Sequence, residues 1–250
     1  MTTQYATEGN LSLRQRLWDI SERRPPFSLH SWVIGLARLS GGERVLDVGC
    51  GNGRYLELVD AVGLDRSPGM LSSARARTKG PLVAGDAACL PLANDTFDVA
   101  LALHMLYHVP DRGAAAHELR RVVRPGGVLI AVTNGRATQR ELVELFEEVV
   151  GGGWRWERPA ESAFSLENGG PQLQAAFERV EVVTCPSGRI LITDAGAVGD
   201  YLQSMRDFYE AQIGARWDDL IDAVVDRVAA TIGAEGAFVV TPVVGAFVCS

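Results

Sequence analysis

Cysteine is scarce in this sequence and unpatterned. Cys50, Cys89, Cys185 and Cys249 form no C-x-x-C pair and keep no regular spacing, which argues against a zinc site or a disulfide framework. Long apolar runs are lacking: none approaches the roughly 18 uninterrupted residues of a membrane span. The polar stretch Thr2 to Asn10 also lacks the apolar core of a secretory signal. A cytoplasmic protein with no membrane partner is therefore expected. There is no excess of positive charge. A formal net charge of -7 repels a phosphate backbone, and Arg14, Arg16, Arg23 and Arg24 make only a local basic cluster, so no nucleic-acid partner is expected. Repeats and low-complexity tracts are absent.

What is present is an alternation of short apolar runs with helical patterns, which means βαβ units. At 250 residues, 47% of them apolar, the chain can bury the core of one α/β domain. Arg44 to Val48, Ala61 to Leu64 and Leu82 to Ala84 read as short buried parallel strands, and Phe97 to Leu103 and Gly127 to Thr133 as the central ones. Arg112 to Val123 and Thr138 to Val150 carry apolar residues at helical spacing, as crossover helices against the sheet do. Beyond the glycines at 151 to 153, Val180 to Thr184 and Arg189 to Thr193 flank the turn Pro186-Ser187-Gly188. A hairpin-like pair or an extended crossover is expected there. Trp217, Leu220, Ile221, Val224, Val225 and Val228 mark an amphipathic helix, and Val239 to Val248 a last strand closing the sheet's edge.

Val45 to Arg54, V-L-D-V-G-C-G-N-G-R, is a strand running into a glycine-rich turn, where the missing Cβ atoms let backbone approach a ligand. A dinucleotide fingerprint would need G-x-G-x-x-G, and the sixth position counted from Gly49 is Arg54. Asp47 stands among Val45, Leu46 and Val48, where a carboxylate costs desolvation energy unless something meets it. A ligand ammonium or sulfonium would serve, and so would turn amides. Asp65 ends the second strand; it can accept both hydroxyls of a ribose, and Asp65 or Ser67 can cap the helix beginning near Pro68. After the third strand, the carboxylate and neighbouring amide of Gly85-Asp86-Ala87 can read an adenine edge or simply build a turn.

These segments, together with G-L-D-R-S-P-G-M-L, G-D-A-A-C-L-P-L-A-N-D-T-F-D-V-A and L-R-R-V-V-R-P-G-G-V-L-I-A-V-T, resemble the ordered motifs of class I S-adenosylmethionine-dependent methyltransferases of the small-molecule type. The resemblance covers roughly residues 43 to 135. It implies a doubly wound, Rossmann-like, seven-stranded, mostly parallel α/β sheet with an antiparallel last strand. The expected layout is one domain over 1–250: an N-terminal helical cap at 1–40, a cofactor-binding core at 41–135, and the rest of the sheet at 136–250 with a helical lid at 195–232. The implied cofactor is S-adenosylmethionine, leaving as S-adenosylhomocysteine. Asp47, Gly49, Cys50 and Gly51 would line its methionine part, Asp65 its ribose, Arg66 and Met70 the faces of adenine, and Asp86 and Ala87 the adenine edge. Two departures stand out: Arg66 replaces a more usual apolar neighbour, and the stretch from Gly53 to Asp65 is short, so its helix must be brief.

On the acceptor side, His104 falls at the carboxyl end of the fourth strand, where open α/β sheets place ligands. It is the candidate general base and a cofactor neighbour; the alternative is a pocket wall. His108 is expected to be structural, and no metal site is expected. The N-terminal stretch offers Tyr5, Arg14, His30 and Trp32. The late helix Asp200 to Gln212 offers Tyr201, Arg206 and Tyr209, and Asn134 follows the fifth strand. Tyr5, Arg14, Trp32, Tyr201 and Arg206 are the acceptor candidates, with core packing as the plain alternative for the aromatics. The expected acceptor is the hydroxyl or amine of a small molecule of the natural-product kind, with oligomeric state open. A nicotinamide-dependent oxidoreductase would need a glycine where Arg54 stands. A non-catalytic cofactor-binding scaffold would show an acceptor pocket filled by side chains.

Overall fold

The computed structural model describes residues 9–157, 159–186 and 188–250. Its described residues form two compact units, one from 28–136, 159–186 and 243–250, the other from 9–27, 137–157 and 188–242.

The first unit is built on a seven-stranded sheet. Its strands are β1 (Val45–Val48), β2 (Ala61–Asp65), β3 (Leu82–Ala84), β4 (Phe97–Leu103), β5 (Val123–Asn134), β6 (Val180–Thr184) and β7 (Val244–Cys249), in the order β3-β2-β1-β4-β5-β7-β6. β1 to β5 pair in parallel, with Asp47 opposite Gly63 and Asp65 opposite Ala84. β7 runs antiparallel to both neighbours, as the resemblance implies. All four residues of β1 are buried, the mark of a parallel strand covered on both faces. The helix Arg112–Val122 starts where the Asp111 carboxylate accepts from Ala114 N at 2.9 Å, and it turns Ala115, Ala116, Leu119 and Val122 inward. Leu46, Val48, Phe97, Leu129, Phe164 and Phe247 lie in the core of this unit.

The second unit carries a three-stranded antiparallel sheet, Glu22–Arg24, Arg189–Ile192 and Phe238–Val240, with Arg189–Ile192 in the middle. Five helices, Gly9–Ile20, Arg140–Val150, Ala195–Gln203, Arg206–Ile213 and Trp217–Glu235, belong to it. Phe146, Trp217, Val198 and Val224 form the centre of its core.

Four sequence expectations are corrected. Val239 to Val248 is not one strand: Pro242, which cannot donate to a ladder, separates Phe238–Val240 in the small sheet from β7 in the large one. β7 also sits inside the sheet, and β6 forms the edge. Of the two readings of Val180–Thr184 and Arg189–Ile192 the hairpin fails, because the strands join different sheets, and the extended crossover is left; Ser187 of their connection lies outside the described residues. The late helix Asp200 to Gln212 divides at Ser204-Met205 into two. Among the described residues no helix is long and apolar enough to cross a membrane, and no group of three or more His, Cys, Asp or Glu side chains could hold a metal ion.

Candidate active site

Sheet order reverses between β1 and β4, and ligands of open α/β sheets sit at the carboxyl ends of strands beside such a switch point. Three glycines shape the turn that leaves β1 there. Gly49, Gly51 and Gly53 have φ of 72°, 54° and 83°, a region that L side chains enter at a cost. The amides of Gly49 and Cys50 both donate to Leu64 O, at 2.7 and 3.0 Å, and Gly53 N donates to Cys50 O at 2.9 Å. A Cβ on Gly53 would lie 3.0 Å from the Ala74 Cβ and 3.1 Å from its Cα. The brief helix expected next is reduced to turns, in which Leu58 and Val59 donate to Tyr55 O. No helix N-terminus therefore stands behind the glycines to seat a pyrophosphate, which removes support for a nicotinamide reading.

Asp47, Asp65 and Asp86 stand on, or just beyond, three consecutive parallel strands. Asp47 is 2% exposed, and no donor among the described residues hydrogen-bonds its carboxylate. Burial, and secondly the Asp65 charge, push its pKa up to about 7. The turn-amide alternative thus has no bond to support it, and a cationic ligand would relieve the cost. Asp65 is half-buried and holds the loop: its two carboxylate oxygens accept from Gly51 N at 2.9 Å and Ser67 N at 2.8 Å. Each oxygen keeps a lone pair for a further donor. The Ser67 hydroxyl, rather than Asp65, caps the helix Pro68–Ala74 by accepting from Met70 N. Asp86 accepts from Ala88 N at 3.0 Å and pairs with Arg66 at 3.7 Å, both side chains largely exposed. Ala87 and Met70 are buried. The Cys50 thiol is buried beside Asp47 and Asp65, which pushes its pKa up and keeps it protonated.

His104 follows β4 and is half-buried with φ 54°, uncommon for a non-glycine residue and the kind of strain that collects at functional sites. Its amide donates to Val132 O at 2.9 Å, while its imidazole bonds no described residue. Burial, and secondly His30, lower its pKa to about 4, so the ring is neutral at pH 7. His30 and Trp32 lie on the helix Leu29–Ala37, and His30 meets the Tyr55 ring at 4.8 Å. The sequence reading passes over Tyr55; its one signal was an aromatic residue directly after the glycine turn. His108 is exposed and stacks edge-on against Tyr107.

Ten candidates thus gather in the first unit at the carboxyl ends of β1 to β4. Three others lie in the second unit, each with partners there: Arg14 over the Phe208 ring at 5.9 Å, Tyr201 donating to Gln139 Oε1 at 3.0 Å, and Arg206 in ion pairs with Glu210 and Asp218. Tyr5 lies outside the described residues.

Beside the glycine turn, the buried Asp47 carboxylate and the sheet order, residues 46–131 match the methyltransferase-domain family. Over this stretch the chain is similar to S-adenosylmethionine-dependent methyltransferases. The chain is 39% identical over 112 residues to a demethylmenaquinone methyltransferase of Mycobacterium sp. (strain KMS), which is 43% of this chain and 48% of that protein. It is 33% identical over 125 residues to the malonyl-[acyl-carrier protein] O-methyltransferase of Serratia marcescens, which is 48% of this chain and 49% of that one. The chain spans about half the length of the curated relatives it matches. Among solved structures, a SAM-dependent methyltransferase from Thermotoga maritima is 25% identical with a TM-score of 0.55, covering 74% of this chain and 85% of its own.

Proposed function

We propose that this protein transfers a methyl group from S-adenosylmethionine to a hydroxyl or amine of a small-molecule acceptor. The observation that carries the reading is the row of carboxylates: Asp47, Asp65 and Asp86 stand on or just beyond β1, β2 and β3, on neighbouring strands about 4.8 Å apart. That order repeats the order of groups along the cofactor, from amino-acid end through ribose to adenine. Asp47 meets the ammonium, with the backbone of Gly49, Cys50 and Gly51 beside the methionine part. Asp65 accepts from the ribose hydroxyls, Arg66 and Met70 flank the adenine, and Asp86 with the Ala87 amide reads its edge. The bound cofactor supplies a methyl group on a sulfonium, ready for in-line displacement. The residues' task is alignment and exclusion of water. His104, its imidazole neutral and bonded to no described residue at the end of β4, accepts a hydrogen bond from the acceptor's O–H or N–H. Two relatives whose names specify small or carrier-bound acceptors support a small-molecule substrate class, and the acidic net charge disfavours nucleic acid.

Calorimetric titration of S-adenosylmethionine and S-adenosylhomocysteine into wild type and Asp65→Ala tests the reading. Micromolar binding that collapses in the variant is expected; a folded wild type that binds neither ligand would sink it.

A further inference from the structure

Tyr55 and His30, both in the first unit, have no part in the assignments above. The Asp47 charge acts on the Tyr55 phenol, the Tyr55 and His30 rings sit 4.8 Å apart at 44°, and His30 acts on His104. Three separate elements deliver these groups: the turn after β1, the helix Leu29–Ala37, which packs on β5, and the end of β4.

Two properties of the cluster point to a ligand. The side chains of Asp47, Tyr55 and His104 are each buried or half-buried, and none hydrogen-bonds a described residue. Their polar atoms bond no described residue and are not among the fully buried unpartnered ones, so they stay open to a ligand. Their chemistry is also one-sided. A carboxylate, a phenol oxygen held in its neutral form by burial and by Asp47, and a neutral imidazole all offer electron pairs to positive charge. Two further groups act on Tyr55: the Cys185 thiol in the same sense as Asp47, and the Arg54 guanidinium in the opposite one.

We propose that Tyr55, seated on His30, faces the sulfonium end of bound S-adenosylmethionine, its hydroxyl oxygen meeting the positive charge. The inference rests on the cofactor reading and deepens it. Asp47 belongs to the amino-acid end and His104 to the acceptor end, and the sulfonium and its methyl lie between those two. S-adenosylhomocysteine lacks that charge. A wall of electron-pair donors therefore favours the methyl donor over the spent product, which helps each turnover clear the site. His30 is a positioning residue here, fixing the Tyr55 ring by contact.

The test is calorimetry with both ligands on wild type, Tyr55→Phe, His30→Ala and Asp65→Ala. Tyr55→Phe keeps the ring and its packing and removes only the oxygen. It is expected to weaken S-adenosylmethionine about tenfold, the factor that accompanies loss of one contact to a charged group, while S-adenosylhomocysteine changes less than about twofold on the same principle. Retained S-adenosylhomocysteine binding doubles as proof that the variant is folded. His30→Ala is expected to shift the ratio of the two affinities in the same direction by a smaller factor. Asp65→Ala should weaken both ligands in step. If Tyr55→Phe weakens both equally, or neither, while Asp65→Ala behaves as stated, the role of Tyr55 is overturned and the cofactor site stands. If wild type binds neither ligand, both readings fall.

Discussion

Replacing Asp47 by asparagine should make the ligand-free protein more stable while impairing the site, and the pH at which this happens follows from the structure. Burial, with Asp65 nearby, raises the Asp47 pKa from 3.8 to about 7. A folded pKa above the unfolded one means that the native state holds the proton more tightly. The associated stability is complete below pH 3.8 and is lost as pH rises through 7. Three pKa units at about 1.4 kcal/mol each give roughly 4 kcal/mol as the most that ionised Asp47 costs at pH 8. Asparagine keeps the shape and cannot ionise. In urea titrations the variant and wild type should differ little at pH 4, and the variant should gain steadily from pH 4 to pH 7. Binding runs the other way, because a cationic ligand needs the ionised carboxylate. Affinity for S-adenosylmethionine should fall about tenfold per pH unit below 7 in wild type, binding near pH 6 should release a proton to buffer, and neither effect should survive in the variant. A stability difference that is flat from pH 4 to pH 8 would refute the reasoning, for it would mean that donors already satisfy Asp47.

Two other measurements bear on the same corner of the molecule. Gly53→Ala forces a side chain into φ 83° and against the Ala74 backbone, and should cost about 2 kcal/mol; Gly126→Ala, at φ 79° with nothing within 4 Å of the new Cβ, should cost only the backbone share. Equal losses in chemical denaturation would show that the close approach is unimportant. For His104, an NMR titration should place the midpoint near 4, not the model-peptide value of 6.5, because burial and His30 both oppose its charge. Being neutral throughout pH 5 to 8, it should contribute no limb to a pH–rate profile there, and a midpoint above 6 would contradict the packing around it.

The candidate residues at the carboxyl ends of β1 to β4 were legible in the sequence because each part is local. A β-branched run stopped by glycines can only be a strand ending in a turn. A carboxylate written into such a run, as Asp47 is, announces its own cost. Asp65 and Asp86 are legible for the same reason, since each sits where a short apolar run stops, and parallel pairing then sets them side by side. Register carries local information into space at no further expense in sequence.

Tyr55 and its surroundings were not legible because their information is distributed. Tyr55 and His30 are twenty-five positions apart, and nothing in either neighbourhood states that their rings meet. The left-handed backbone at His104 carries only a weak residue signature, since histidine tolerates such a conformation but occurs far more often outside it. The second unit is harder still. It gathers three separated stretches, so the small sheet draws its strands from residues 22–24, 189–192 and 238–240, and Pro242 divides what periodicity alone joins into one run. Periodicity identifies an element but not its sheet when two sheets compete. The same distribution explains why Tyr55 has to be tested by ligand discrimination. A residue whose neighbours are assembled by the fold can be judged only by what the assembled site distinguishes, here a sulfonium from a thioether.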